Sequence, residues 1–143
     1  MRAELHGRLW ANYPRVFTLR TEGPRRSNMS FGCECGDGWF GIVDRLCWCL
    51  RALWKLLRVN TQATQVKEKY GELRFYCVIY TPRSMPRCLR RWIGTLVCWL
   101  TDRAECESNR TCEACGAPGR LMRRGYWYAT LCERCAPEGY ERV

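Results

Sequence analysis

The chain has 143 residues, of which 47% are apolar and 13% aromatic, and its formal net charge is +10. This length suits one domain with a modest core and room for a small appended module. The apolar and aromatic content excludes an intrinsically disordered protein, and the positive charge favours an acidic partner such as nucleic acid, an anionic membrane or an acidic protein surface.

The first predicted element is a short helix over residues 2–13, which Pro14 ends. Its charged residues leave no apolar segment of the kind that a secretory signal peptide needs. The protein is therefore expected in the cytoplasm, where Cys-x-x-Cys pairs more often bind metal or carry redox chemistry than form disulfides. A basic loop over residues 20–28 follows the helix, and a Gly- and Cys-rich segment over residues 30–38 follows the loop.

A second helix is predicted from Asp37, as N-cap, to about Arg58. Its apolar residues recur every three or four positions, which indicates one buried face. The longest apolar stretch, residues 39–59, contains five charged residues, so a membrane-spanning helix is not expected.

Two strand-like segments, 63–69 and 73–80, flank a Tyr70–Gly71 turn and predict a β-hairpin. The first segment also contains good helix formers, so the alternative is that it extends a helix and is not a strand. A third helix is expected to begin with Ser84 as cap and Pro86 in its first turn.

Two Cys-x-x-Cys pairs, Cys112/Cys115 and Cys132/Cys135, are separated by sixteen residues. This spacing is typical of a zinc site made of two knuckles joined by a short hairpin, here turning at Arg124–Gly125. Four thiolates complete the tetrahedral shell of Zn²⁺ and leave no position for a reactive water. The sequence therefore predicts one structural zinc ion, with a redox pair or disulfides as the alternatives.

The predicted fold class is α+β, in which helices pack on a β-hairpin and a zinc-ribbon or treble-clef-like module follows. The expected division is a basic body of residues 1–106 and a four-cysteine zinc-binding module of residues 107–143. The remaining cysteines are expected to behave as small apolar residues. A second metal site remains an open alternative for four of them, Cys33, Cys35, Cys47 and Cys49.

No catalytic set of residues is evident, and a non-enzymatic protein is predicted. The only histidine is His6, and a structural or solvent-exposed role is expected for it. The acidic residues Glu34, Asp37 and Asp44 are expected to serve turns, caps and solvated faces. A divalent-cation site at these three residues is the alternative.

The positive charge is concentrated in the body. Residues 1–106 hold eighteen Lys and Arg against nine Asp and Glu, whereas residues 107–143 hold six against five. Phosphate contacts are therefore expected from the body, and an exposed Trp48 beside two cations can stack on a base. The alternative is that Trp48 packs under a loop. The predicted binding residues are Trp48, Arg51, Lys55, Lys67, Lys69, Arg74, Arg87 and Arg91.

Several motifs, Tyr13-Pro14-Arg15, Met29–Phe40, Ala63–Tyr76 and Cys112-x-x-Cys115-Gly, resemble a family of short uncharacterised phage and prophage proteins. The resemblance implies a phage origin but supplies no established activity. Small phage proteins without enzymatic motifs commonly handle phage nucleic acid or block a host machine. We therefore expect a zinc-stabilised protein that binds nucleic acid or a nucleic-acid-handling complex. An anti-CRISPR-like inhibitor of a bacterial antiphage defence complex is the alternative, and basic amphipathic helices leave a peripheral membrane role open.

Overall fold

The computed structural model describes all 143 residues and has the α+β architecture that the sequence predicts. The α-helices are α1 (Ala3–Asn12), α2 (Phe40–Leu57) and α3 (Arg87–Ser108). One three-stranded sheet has the order β1-β2-β3, with β1 (Cys33–Glu34), β2 (Asn60–Lys69) and β3 (Glu72–Tyr80). A second has the order β5-β4-β6, with β4 (Arg120–Arg124), β5 (Trp127–Leu131) and β6 (Glu141–Arg142).

The predicted central hairpin is confirmed, and the helical alternative for its first arm is wrong. Strands β2 and β3 pair antiparallel from Asn60↔Tyr80 to Lys69↔Glu72, with an irregularity between Ala63 and Gln65. Tyr70 and Gly71 both have positive φ, 54° and 80°, as a two-residue turn joining twisted strands requires. β1 pairs parallel with the other edge of β2, so β2 is the central strand.

The main core lies where α2 and α3 cover this sheet. Helix α2 buries a stripe that includes Val43 and Leu50, and α3 buries Ile93 and Val97. Trp39, which precedes α2, has no exposed surface. A buried side chain of this kind contributes about 1.5–3 kcal/mol through removal of apolar surface from water, which makes this layer the main stabilising element.

Both predicted helix caps are wrong. Asp37 lies in a 3₁₀ turn, Asp37–Trp39, before α2, and makes no side-chain cap. Its carboxylate instead accepts a hydrogen bond from the backbone N–H of Arg2 at 2.7 Å and pairs with the Arg2 guanidinium at 2.5 Å. Helix α3 begins at Arg87 after an extended Pro86, and no side chain caps it, so Ser84 does not have the predicted role.

Helix α1 is fixed to the segment that contains β1 through its single histidine. His6 Nε2 accepts the backbone N–H of Cys33 at 3.0 Å. Burial lowers the pKa of His6 by more than the Cys33 carbonyl oxygen, 3.2 Å from Nε2, raises it, so the neutral ring that accepts this N–H is the favoured form. His6 therefore has a structural role, one of the two that the sequence predicted, because it joins α1 to the backbone of Cys33.

Candidate metal centre and basic surfaces

The four predicted ligand cysteines, Cys112, Cys115, Cys132 and Cys135, come together in space. Their Sγ atoms all lie within 4.8 Å of one another. Cys115 Sγ and Cys132 Sγ are 3.7 Å apart, far beyond a disulfide bond of about 2.05 Å. Tetrahedral zinc with Zn–S bonds of about 2.3 Å places two sulfurs about 3.8 Å apart. The cluster is thus a possible metal site, and its geometry fits four thiolates on one ion.

Two tight backbone turns position these thiols. The carbonyl of Cys112 accepts the N–H of Gly116 at 2.8 Å, and Gly116 has φ +78°, a conformation that favours glycine. The carbonyl of Cys132 accepts the N–H groups of Cys135 and Ala136 at 3.1 and 3.0 Å. Each turn places both sulfurs of its Cys-x-x-Cys pair on the same side.

The hairpin between the two pairs forms as predicted. Strands β4 and β5 pair from Arg120↔Leu131 to Arg124↔Trp127, and Gly125 lies in the turn. Its inner face buries Met122 and Leu131 against Cys112 in a small separate apolar cluster. This packing brings the second cysteine pair to the first.

The first cysteine pair is seated on the segment before α2, a role that the sequence analysis missed. The carbonyl of Glu113 accepts the N–H of Gly38 at 2.8 Å, and its carboxylate accepts the N–H of Gly36 at 2.8 Å. Burial raises the pKa of the Glu113 carboxyl, an effect that the Gly36 hydrogen bond opposes. Trp39 Nε1 donates to the carbonyl of Thr111 at 2.7 Å. The sequence signal for this contact was the segment that contains Gly36, Gly38 and Trp39. We call the contact between this segment and the first cysteine pair the seat.

A second set of bonds ties the cysteine module to the central hairpin. Thr130 Oγ1 donates to the carbonyl of Gly71 at 2.6 Å, and the N–H of Leu73 donates to Ser108 Oγ at 2.9 Å. The predicted boundary between residues 106 and 107 falls in the last turn of α3, which ends at Ser108. The division into two parts stays a prediction.

The other cysteines do not form a comparable cluster. The structure brings at least three potential metal ligands together only at the four C-terminal cysteines. Cys33, Cys35 and Cys47 are buried, and burial raises the pKa of Cys33 to about 12 and shifts those of Cys35 and Cys47 in the same direction. These groups are therefore neutral thiols at ordinary pH.

The predicted aromatic and cationic face of α2 is at the surface, and its members differ in their surroundings. Trp48 exposes 58% of its surface, so it does not pack under a loop. Arg51 and Lys55 line a cleft on α2 that includes Trp54 and does not include Trp48. The aromatic ring beside Arg51 is that of Tyr13, whose centre lies 5.6 Å from the guanidinium carbon.

Arg74 is the exception among the predicted binding cations. Its guanidinium pairs with Glu72 at 2.5 Å and with Glu105 at 2.7 Å, and only a third of its side chain is exposed. Its charge is paired within the fold and links β3 to α3 through Glu105. The other six cations make no ion pair.

A shallow surface depression of about 550 Å³, which we call the basic hollow, lies beside β2. Arg25, Arg26 and Lys67 line it together with the half-exposed Tyr76. Lys67 Nζ lies 5.9 Å from the centre of the Tyr76 ring. Arg26 is paired with Glu22 at an exposed position, which leaves Arg25 and Lys67 without a carboxylate.

The remaining predicted cations lie elsewhere on the body. Lys69 is exposed with its Nζ 5.5 Å from the centre of the Tyr70 ring. Arg87 and Arg91 are exposed in the first two turns of α3. The cationic surface therefore consists of several patches and does not form one continuous stripe.

A comparison with known protein families, curated proteins and solved structures finds no match to this chain. None of the three helices combines the length and the apolar content needed to cross a bilayer.

The close approach of the two backbones at Gly38 generates a stability prediction. A Cβ at this position would lie 2.2 Å from the carbonyl oxygen of Cys112, so Gly38→Ala should lower the free energy of unfolding by about 1–3 kcal/mol. Urea denaturation measures the change.

Gly94→Ala is the matched control for this substitution. A Cβ there meets nothing within 4 Å, and alanine inside α3 should stabilise the protein by about 0.5–1 kcal/mol. Equal effects of the two substitutions would contradict the described seat.

Proposed function

We propose that this chain is a non-enzymatic binding protein whose basic body contacts nucleic acid or a complex that handles nucleic acid. The observation that carries the proposal is the basic hollow, where the unpaired cations Arg25 and Lys67 lie beside the exposed ring of Tyr76. Cations neutralise phosphates, and exposed rings give bases a surface on which to stack. This pairing of groups suits single-stranded nucleic acid.

The charge distribution supports the same proposal. The body has a surplus of nine positive charges, while residues 107–143 have a surplus of one. A zinc ion with four thiolates would add two negative charges to that module and leave it slightly acidic. A phosphate backbone would therefore be attracted to the body and not to the cysteine module.

We further propose that the four-cysteine cluster holds one Zn²⁺ in a structural role. All four ligand positions would be occupied by Cys112, Cys115, Cys132 and Cys135, so the ion would polarise no substrate. The ion would instead hold the turn at Cys132–Cys135 against the turn at Cys112–Cys115, which is the one that contacts Gly38 and Trp39. Because such a site forms only in the folded chain, metal binding would contribute directly to folding.

The nucleic-acid proposal predicts binding that depends on salt. A labelled single-stranded oligonucleotide should bind much more weakly at 200 mM than at 50 mM salt, because binding releases counterions. Arg25→Ala with Lys67→Ala should reduce the slope of log K against log salt by about 0.7 for each lost phosphate contact. Fluorescence anisotropy titrations measure both quantities.

The control removes the same kind of charge from the other module. Arg123 is exposed on β4 and makes no ion pair, so Arg123→Ala should leave affinity and slope unchanged. Absence of salt-dependent binding by the unmodified protein would reject direct nucleic-acid binding.

The metal proposal predicts one zinc per chain by elemental analysis. Cys132→Ser should abolish stoichiometric zinc and lower the thermal midpoint, because it removes one of four thiolates. Cys98→Ser should change neither, since Cys98 is exposed on α3 outside the cluster. Stoichiometric zinc in the Cys132 variant would contradict the assignment of that ligand.

A second candidate function, contact with a host protein, is favoured by the outer face of α3. Trp92 and Trp99 lie two helical turns apart and expose 58% and 52% of their surfaces. Exposed tryptophan is enriched among the residues that dominate protein interfaces. If the chain is phage-encoded, an inhibitor of a host defence complex would use such a face.

The second candidate is tested by capture from bacterial lysate after nuclease treatment. One reproducible host complex should be retained by the unmodified protein and lost with Trp92→Ala and Trp99→Ala. Arg123→Ala again serves as the control. If a host complex is captured from untreated lysate and is lost after nuclease treatment, the result would instead favour the nucleic-acid proposal.

A further inference from the structure

A stripe of exposed residues runs along the side of α3 that points away from the core. Ile93 and Val97 are buried on the opposite side of the helix. We call the exposed set the α3 stripe, and its members, in chain order, are Cys88, Trp92, Thr95, Trp99, Asp102 and Cys106. Two large aromatic side chains thus lie where a helix of a monomeric protein usually carries charged residues.

The spacing of the α3 stripe is that of a seam between two helices. Its members follow one another at intervals of four, three, four, three and four residues, which is the a and d pattern of a heptad repeat. Residues spaced in this way form a nearly straight line along a helix. The partner that fits such a line is a second helix lying along it.

The charge of the α3 stripe favours a protein over a phosphate-bearing partner. The chain carries a net charge of +10, yet the one charged member of the stripe is Asp102, whose carboxylate repels phosphate. Of the two arginines that flank the stripe, Arg103 lies 5.5 Å from the centre of the Trp99 ring. Arg91, on the other flank, has no aromatic or carboxylate partner in the chain.

The two free charges make the stripe complementary to itself. Asp102, like Arg91, makes no ion pair. The two residues are eleven positions apart on α3, which is about three helical turns or 17 Å, so they lie on the same side of the helix. A second copy of α3 running in the opposite direction therefore brings the Arg91 of each copy to the Asp102 of the other.

One antiparallel register pairs every member of the α3 stripe. In a pair of helices centred on residue 97, Trp99 faces Thr95 of the second copy, Trp92 faces Asp102, and Cys88 faces Cys106. Each tryptophan then packs against a smaller side chain, and the indole N–H of Trp92 has a carboxylate to which it can donate. A parallel pair would instead place the two Asp102 carboxylates opposite each other, which is unfavourable.

We propose that the chain forms a homodimer in which the α3 stripe packs antiparallel on the same stripe of a second copy. The contact is isologous, so each favourable pair occurs twice. The residues that line the basic hollow all lie outside α3, and the dimer therefore leaves both hollows open.

Reversal of the two free charges tests the dimer. Sedimentation equilibrium over a range of concentrations should show a reversible monomer–dimer equilibrium for the unmodified protein. Asp102→Arg or Arg91→Asp alone places like charges together twice, and each should raise the dissociation constant at least about tenfold. An equimolar mixture of the two variants should form a heterodimer, because every contact then joins an arginine to an aspartate. Arg123→Asp, on β4, is the matched control and should leave the dissociation constant unchanged.

The register is tested with the two cysteines at the ends of the stripe. Cys88 and Cys106 of one chain are eighteen positions apart on a single helix, so about 27 Å separates them. A short bismaleimide cannot span that distance within a chain, but across the antiparallel pair the two thiols face each other. Peptide mapping should find Cys88 joined to Cys106 in a covalent dimer, and Cys88→Ser should remove this product.

The outcomes separate the dimer from the proposed function. A monomer at every concentration, or a dimer that neither single reversal weakens, would overturn the proposal and leave the α3 stripe to a foreign protein. A dimer that yields no Cys88–Cys106 product would overturn the antiparallel register. Salt-dependent oligonucleotide binding by a monomeric chain would keep the proposed function and reject the dimer, since the basic hollow does not involve α3.

Discussion

The close contact between the backbone at Gly36–Trp39 and the first cysteine pair is the constraint on which the structure depends. Glu113 receives the N–H groups of both Gly36 and Gly38, and Trp39 donates to Thr111. There is no space for a side chain at Gly38, because the carbonyl of Cys112 occupies it. The same short segment ends in a fully buried tryptophan at the head of α2, so one seat joins the core to the thiol cluster.

Under the proposal of a bound zinc ion, this arrangement would give the thiol cluster a structural role. The four sulfurs lie at one end of a small apolar cluster, and the patches of unpaired cations lie on the body. A metal bound there would fix the relative positions of α3, the central hairpin and the β4–β5 hairpin through Ser108, Gly71 and Thr130. The surfaces proposed to bind a partner would be held in place by it without touching it.

The cysteine cluster and the central hairpin could be predicted from sequence, because both depend on interactions between residues close together in the chain. Two Cys-x-x-Cys pairs indicate their cluster because each pair closes its own turn, and Tyr70–Gly71 indicates the hairpin because positive φ is needed there. Asp37 carries a strong capping signal, yet a distant partner, Arg2, takes its carboxylate. The ion pair of Arg74 with Glu105 was equally hidden from local patterns, since Glu105 lies on α3, far away in the sequence.

The cleft of about 340 Å³ beside Trp54 was not predictable from sequence for a related reason. Its walls come from three separate stretches, the segment after α1, the second half of α2 and the start of β2, which meet only once these elements have packed. Trp48, Arg51 and Lys55 all lie on α2 as predicted, and the two cations line this cleft while Trp48 does not. Helical periodicity predicts which side of α2 faces solvent. The segment after α1 packs over part of that side and so determines where the cleft forms.

The seat at Trp39 also has a consequence for synthesis of the protein. Trp39 and its acceptor Thr111 are 72 positions apart, and the ribosome delivers the amino-terminal partner first. While residues 40–110 are being translated, the indole N–H and the two glycine N–H groups have no native acceptor. The body therefore cannot complete its own hydrogen bonding until the first cysteine pair has emerged, which makes its final folding step late and dependent on contacts that are distant in sequence.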